Sequence, residues 1–386
     1  MFPYSRQSIN SSDIKSVVGS LKSNFLTQGP LLSKFEKKIS KFVNAKFSVG
    51  TNSATSALHI ACMSLGLKKG EIIWTVNNSF LASASCGLFC DAKVDLIDID
   101  LKNYNISIED LKKKLKLAKK KNKLPKVIIP VNFAGLAYNQ KELFKLKKKY
   151  KFKIIEDSSH ALGSKYENYR IGGCKFSDIS VFSFHAVKTI TTGEGGMATT
   201  NDRKLFEKMK LLRNHGLTRD KKLLKNKNLG FWYYEKKVLG FNYRMNEMSA
   251  ALGISQMRRL NKFLKKRRQL ALRYNKILDT KKLILPNSKD IKTSSVHLYI
   301  IRLHKALSLG KYDYVFQTLR KRGIGVNLHY LPISSLILKK KKINKIFPNS
   351  YIYSTSSFSI PLYYDLSFKA QNKIAKIINS VIKSIN

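Results

Sequence analysis

Short apolar runs alternate with stretches of helical periodicity through the first two thirds of the chain. Val94 to Ile99, Lys126 to Phe133, Lys153 to Asp157, Ile179 to Phe184 and Gly196 to Thr200 each read as a strand rich in apolar residues, the texture of strands buried on both faces. Lys141 to Tyr150 and Arg203 to Arg213 lie between them, apolar at helical spacing and basic elsewhere. Such alternation predicts a mostly parallel sheet covered by helices.

The texture changes near Glu247. Glu247 to Leu278 is one long helical run, with Met248, Ala251, Leu252, Ile254, Leu260, Phe263 and Leu264 on a common face. The domain junction is placed at its start, giving a large α/β domain over 1–246 and a linking helix with a small C-terminal domain over 247–386. In the latter, strands around Val296 to Leu303 and Val326 to Tyr330 and helices around Tyr312 to Arg322 and Ala370 to Ile385 predict a compact α+β unit. At 386 residues the chain is long enough for two domains sharing a substantial core.

Charge is the one compositional anomaly. There are 73 basic against 24 acidic residues, a net charge of +49. The lysines are scattered, as in Lys112 to Lys114, Lys119 to Lys121, Lys147 to Lys149 and Lys339 to Lys342. Polybasic binders concentrate their charge on one face or tail, so the spread favours a solvated lysine-rich surface over a nucleic-acid or anionic-surface partner. Cys62, Cys86, Cys90 and Cys174 sit among apolar or small residues without paired ligand spacing. They read as reduced core residues, and no metal site is expected. Met1 to Arg6 contain no apolar leader core, and no apolar run approaches the roughly 20 residues that span a bilayer. A soluble, cytoplasmic protein with no membrane partner is expected.

Among so many lysines, only context can single one out. Lys188 follows a buried-looking strand and precedes the glycine-rich Gly193-Glu194-Gly195-Gly196, with apolar or small neighbours. A poorly solvated lysine loses proton affinity and becomes an amine nucleophile, the requirement for a Schiff base. Asp157 ends the strand Lys153 to Asp157, where open α/β sheets place their ligands. A lysine to hold an aldehyde and a carboxylate to hold a pyridinium nitrogen are the fixed requirements of a pyridoxal phosphate site. Gly50 to Ala61 switch from small polar residues to a helical pattern. The N–H groups of Ala54 and Thr55, with the Thr55 hydroxyl, would then form an anion site at a helix N-terminus, or merely a cap. Phe80 reads either as a ring against the pyridine face or as an ordinary core aromatic. His160 is either a hydrogen-bond donor to Asp157 or a packing histidine. Residues 239–246 read as a helix-entry loop.

Several of these segments together resemble the DegT/DnrJ/EryC1/StrS sugar aminotransferases: Phe25 to Pro30, Asn52 to Leu58, Glu156 to Gly163, Ser183 to Gly196 and Gly240 to Met245. The resemblance runs from about Pro3 to the C-terminus. It implies the type I aspartate aminotransferase fold, pyridoxal 5'-phosphate as cofactor and a homodimer with shared sites. Carried over, Lys188 matches the cofactor-bonding lysine, Asp157 the pyridinium partner, and Ala54, Thr55 and Ser183 the phosphate binders. Asn242 matches an asparagine that reaches the phosphate across the dimer interface. Many members have glycine where Ala54 stands, and a backbone N–H serves either way. Asn78-Ser79 before Phe80 is a second departure, and it bears on the stacking role. Dehydratase members replace the lysine with histidine, so Lys188 places the chain with the aminotransferases.

A narrower likeness is carried by Asn52 to Ala57, Ile73 to Val76, Ala82 to Leu88, Tyr104 to Ser107 and Trp232 to Glu235. It is similar to members that aminate C4 of a UDP-linked 4-keto-6-deoxy-N-acetylhexosamine in pseudaminic acid biosynthesis, with L-glutamate as donor. A relative acting on another nucleotide-linked keto-sugar would share every cofactor residue. For a basic nucleic-acid-binding protein, charge is the only support.

Overall fold

The computed structural model describes residues 1–337 and 343–384; the lysine run from Lys339 to Lys342 and the predicted helix end at Ile385 lie outside the described residues. The large sheet contains β1 (Phe47–Thr51), β2 (Ile72–Val76), β3 (Lys93–Ile97), β4 (Val127–Ile129), β5 (Lys153–Asp157), β6 (Ile179–Ser183) and β7 (Gly196–Thr200). Their order is β1-β7-β6-β5-β4-β2-β3, and β7 alone runs antiparallel to its neighbours. Successive residues serve opposite faces: Ile128 and Ile154 join one core, Val127, Ile129 and Ile155 the other. This two-sided burial is what the continuous apolar runs predicted.

The helices α2 (Pro30–Val43), α3 (Ala54–Ser64), α4 (Ala82–Leu88), α5 (Ile108–Lys120), α6 (Gln140–Tyr150) and α7 (Arg203–Arg213) cover the sheet, while α1 (Ser11–Leu21) packs on the helix Glu247–Ile277. In α5, Ser107 accepts from the Asp110 N–H, Glu109 and Asp110 occupy the first turn, and Lys119 and Lys120 the last. Those charges complement the helix dipole, while Leu111, Leu115 and Ala118 are buried. On such helices the lysines occupy the remaining face.

The long helix α8 (Glu247–Ile277) is capped by Asn246, which accepts from the Ser249 N–H. Its first residue, Glu247, is fully buried and accepts from the N–H groups of Leu31 (2.6 Å) and Leu32 (3.1 Å). The Glu247 side chain thus caps α2, whose own N-cap, Gly29, has no side chain to offer. The first half of α8 packs Leu260, Phe263 and Leu264 against Phe35 of α2. The second half gives Leu270, Ala271 and Tyr274 to a separate core. That core joins a sheet of β8 (Leu283–Ile284), β9 (Tyr299–Leu303) and β10 (Ser357–Ile360) to α9 (Leu309–Lys321) and α10 (Phe368–Lys383).

The strand predicted over Val326 to Tyr330 is absent. Ile324 instead pairs with Phe2 and Asn327 with Ser359, each as a single bridge, so the segment changes partner every few residues and forms no ladder. Strands β1 and β2 and helices α1 and α2 were not among the predicted elements.

Candidate active site

A cavity of about 570 Å³ opens where β5 and β6 end and β7 begins, and Tyr4, His297, Asn327, His329 and Tyr330 close it from the other side. Ala54, Thr55, Phe80, Asp157, His160, Ser183 and Lys188 all line it. Segments more than a hundred residues apart in sequence are therefore brought together by the sheet order.

Asp157 is buried at the end of β5. One carboxylate oxygen accepts from the Ser83 hydroxyl at 2.7 Å, the other from the Ser159 N–H at 3.1 Å. Ser83 is itself fully buried on α4 and shares a 2.8 Å hydrogen bond with Ser79. Charge-assisted bonds of this kind hold the carboxylate plane in place. Ser83 and Ser79 are site residues that sequence reasoning missed; only their position in a small-residue helix start could have suggested them.

Lys188 lies half-buried in the turn between β6 and β7, where its N–H donates to the His185 carbonyl at 2.9 Å. Burial pulls its amine down from the ordinary lysine range to about 8, with the negative charge of Asp157 acting in the opposite direction. An amine so shifted is available as a base or nucleophile near neutrality.

At the start of α3, the Ser53 hydroxyl accepts from the Ser56 N–H at 3.1 Å. The N–H groups of Ala54 and Thr55 occupy the first turn, beside the cavity. Strand β7 passes so close that a Cβ on Gly196 would lie 2.3 Å from the Ser53 carbonyl oxygen and 2.5 Å from the Ala54 nitrogen. Only glycine fits there. Gly193, at φ +78°, makes the turn that precedes it. Ser183 is half-buried at the end of β6, its hydroxyl accepting from the His185 N–H at 3.4 Å. The donor set at the start of α3, the Asp157 carboxylate and the depressed Lys188 amine fit pyridoxal phosphate.

Phe80 is 60% exposed at the cavity rim, its ring 5.8 Å from that of Tyr330. It is no core aromatic. Of the two readings of His160, the donor to Asp157 is not what the structure shows: its Nδ1 accepts from the Ala134 N–H at 3.2 Å and its Nε2 meets the Tyr330 hydroxyl at 3.1 Å. The turn after β5 carries the ring away from the carboxylate and toward the small domain. Accepting at Nδ1 leaves the proton on Nε2. Burial first, then the positive charge of Lys188, holds His160 well below the ordinary histidine range, so it stays neutral. His297 packs 4.4 Å from it. Tyr330, His329 and His297 went unread because the small domain delivers them from remote sequence.

Asn242 lies outside this cavity and is exposed. Its neighbours Phe241 and Tyr243 stack at 4.9 Å, and the Tyr243 carbonyl accepts from the Asn52 N–H at 2.9 Å. The segment bearing Asn242 is thus tied to the turn before α3 of its own chain. Among the described residues, no cluster of three or more His, Cys, Asp or Glu is placed to hold a metal ion. No helix among them is long and apolar enough to cross a membrane. All four cysteines are free thiols.

The sequence matches the profile described as the DegT/DnrJ/EryC1/StrS aminotransferase family over residues 7–379. A Campylobacter jejuni (strain 81-176) protein named UDP-4-amino-4,6-dideoxy-N-acetyl-beta-L-altrosamine transaminase is 34% identical over 387 residues, covering 100% of this chain and 98% of the relative. The structure of Helicobacter pylori PseC, titled as an aminotransferase involved in pseudoaminic acid biosynthesis, superposes with a TM-score of 0.89 at 32% identity, covering 100% of both chains. The sugar aminotransferase Spr1654 of Streptococcus pneumoniae, described as putative and solved in its PMP-form, gives 0.90 at 28% identity, again covering 100% of both.

Proposed function

The chain belongs to the DegT/DnrJ/EryC1/StrS aminotransferase family and is a pyridoxal phosphate-dependent sugar aminotransferase, and we propose that it moves an amino group from L-glutamate to C4 of a UDP-linked 4-keto-6-deoxy-N-acetylhexosamine. The convergence of Lys188, Asp157 and the first turn of α3 on one cavity carries the catalytic part of this reading. The acceptor is supported by full-length similarity to the Campylobacter transaminase, named for the corresponding amino sugar.

When bound, pyridoxal phosphate supplies an electron sink for the carbanion that amino transfer requires. The N–H groups of Ala54 and Thr55 and the Ser183 hydroxyl hold its phosphate, using the helix N-terminus in place of a cationic side chain. Asp157, fixed by Ser83 and Ser159, keeps a proton on the ring nitrogen by offering a charge-assisted acceptor. The Lys188 Nζ would take the proton from the donor's Cα and hand it to the cofactor's C4′ within the donor half, and in the acceptor half would carry a proton from C4′ to C4 of the sugar. A pKa of about 8 lets the same nitrogen both accept and release that proton near neutrality. His160, held neutral, with Tyr330 and Phe80, forms the wall facing the ring. Asn242 is assigned to the phosphate of a second copy's cofactor, so that the working enzyme is a homodimer.

The acceptor is tested by offering glutamate with the L-configured UDP-4-keto-6-deoxy sugar or with its D-configured counterpart. The expected outcome is a preference of at least roughly tenfold in kcat/KM for the L form, the scale a shaped polar pocket commonly achieves. A reversed preference would assign the chain to a relative acting on another keto-sugar.

A further inference from the structure

The floor and one wall of the cavity come from different parts of the chain. Asp157, Lys188 and the start of α3 form the floor, all in the large domain, while Tyr4, His329 and Tyr330 form the wall that closes over it. Tyr4 reaches that wall on a strap formed by residues 2–5. The Phe2 N–H donates to the Gly323 carbonyl and the Phe2 carbonyl accepts from the Gly325 N–H, both at 2.7 Å. The Tyr4 carbonyl accepts from the Leu362 N–H at 3.0 Å. The Ser5 hydroxyl then donates to the Val187 carbonyl at 3.2 Å, next to Lys188. The strap therefore bridges the small domain and the lysine turn.

Gly325 lets the strap lie this close. A Cβ there would meet the Phe2 oxygen at 2.7 Å and the Tyr4 nitrogen at 3.0 Å. The Tyr4 ring, half-buried, lies 5.1 Å from that of His329, tilted by 57°. Backbone bonds on both sides thus hold an aromatic ring at fixed height above the floor.

We infer that Tyr4 is part of the acceptor subsite, its ring packing against the hexose of the nucleotide sugar and taking no part in the glutamate half of the reaction. Within this cavity, the groups assigned to the cofactor's phosphate, ring nitrogen and aldehyde are on the floor, so the part of the wall carrying Tyr4 meets what enters above them. A small dicarboxylate is held chiefly by cationic and multiple N–H donors, of which a tyrosine offers only a single O–H. A pyranose offers apolar C–H faces that an aromatic ring matches. This inference rests on the nucleotide-sugar reading of the site.

The test is calorimetric titration of the cofactor-loaded protein with UDP-N-acetylglucosamine, an unreactive UDP-sugar, alongside the single-turnover rate with glutamate. Tyr4→Ala is expected to weaken binding of the UDP-sugar roughly tenfold, and Tyr4→Phe by no more than about threefold, since the ring is what packs. Gly325→Val, which pushes the strap away, is expected to weaken it as Tyr4→Ala does. The glutamate rate stays within about twofold in Tyr4→Ala, a readout that a general structural role would move. Equal binding by Tyr4→Ala and unaltered protein overturns the inference. So does a glutamate rate that falls in step with sugar binding, or an equal loss with UDP alone, which would put the ring on the nucleotide. If the unaltered protein binds no UDP-sugar, the nucleotide-sugar reading fails and this inference fails with it.

Discussion

Lys188→Ala protein is expected to fold normally and to lose amino transfer by roughly 10³-fold or more, because the substitution removes both the covalent anchor and the proton carrier. The side chain is half-buried beside a cavity and carries no structural hydrogen bond, so thermal unfolding should shift little. Two readings check the role: turnover with glutamate and keto-sugar, and the mass retained after borohydride reduction with pyridoxal phosphate. Unaltered protein should retain the cofactor on the peptide containing Lys188, and Lys188→Ala should retain none. The same variant tests the dimer. If Asn242 serves the partner's site, mixing Lys188→Ala chains with Asn242→Ala chains places both lesions in one site of the heterodimer and leaves the other intact. Recovered activity approaching one unaltered site per heterodimer is expected after subunit exchange. Verified exchange without recovery would place Asn242 in its own chain's site or outside the chemistry.

The second large effect is at Asp157. Asp157→Asn keeps the shape, and an amide can still accept from the Ser159 N–H and donate to Ser83. What it loses is the charge that holds a proton on the ring nitrogen. A hydrogen bond to a charged group contributes about 2–3 kcal/mol, so the single-turnover rate with glutamate should fall roughly 10²-fold. Stopped-flow absorbance measures it directly. A rate within about threefold of the unaltered enzyme would contradict the pyridinium role, since one factor of ten corresponds to only about 1.4 kcal/mol.

The floor of the cavity was legible in sequence because its parts are local. Lys188, Asp157 and the turn before α3 each sit at a junction between an apolar run and a polar or glycine-rich break, and such junctions mark strand ends and helix starts. The wall was not legible. Tyr330 and Tyr4 join the site only because the segment around Tyr330 and residues 2–5 reach the cavity from remote sequence, and no local pattern encodes that crossing. The strand expected at Val326 to Tyr330 failed for a related reason: local apolar content argued for a ladder, but the segment is claimed by separate partners, Phe2 and Ser359. His160 lines the cavity, and of its two sequence readings the hydrogen bond to Asp157 is the one the structure does not show. Its spacing of three residues from Asp157 suggested contact, whereas the turn rotates its ring toward Ala134 and Tyr330.

Following heavy nitrogen from labelled L-glutamate is the most direct measurement of what the site does. With the UDP-linked 4-keto-6-deoxy-N-acetylhexosamine as acceptor, the label is expected in the C4 amine of the sugar, with 2-oxoglutarate formed in equal amount and no label transferred by Lys188→Ala protein. A sugar product without the label, or labelled product undiminished in the Lys188→Ala variant, would contradict the account.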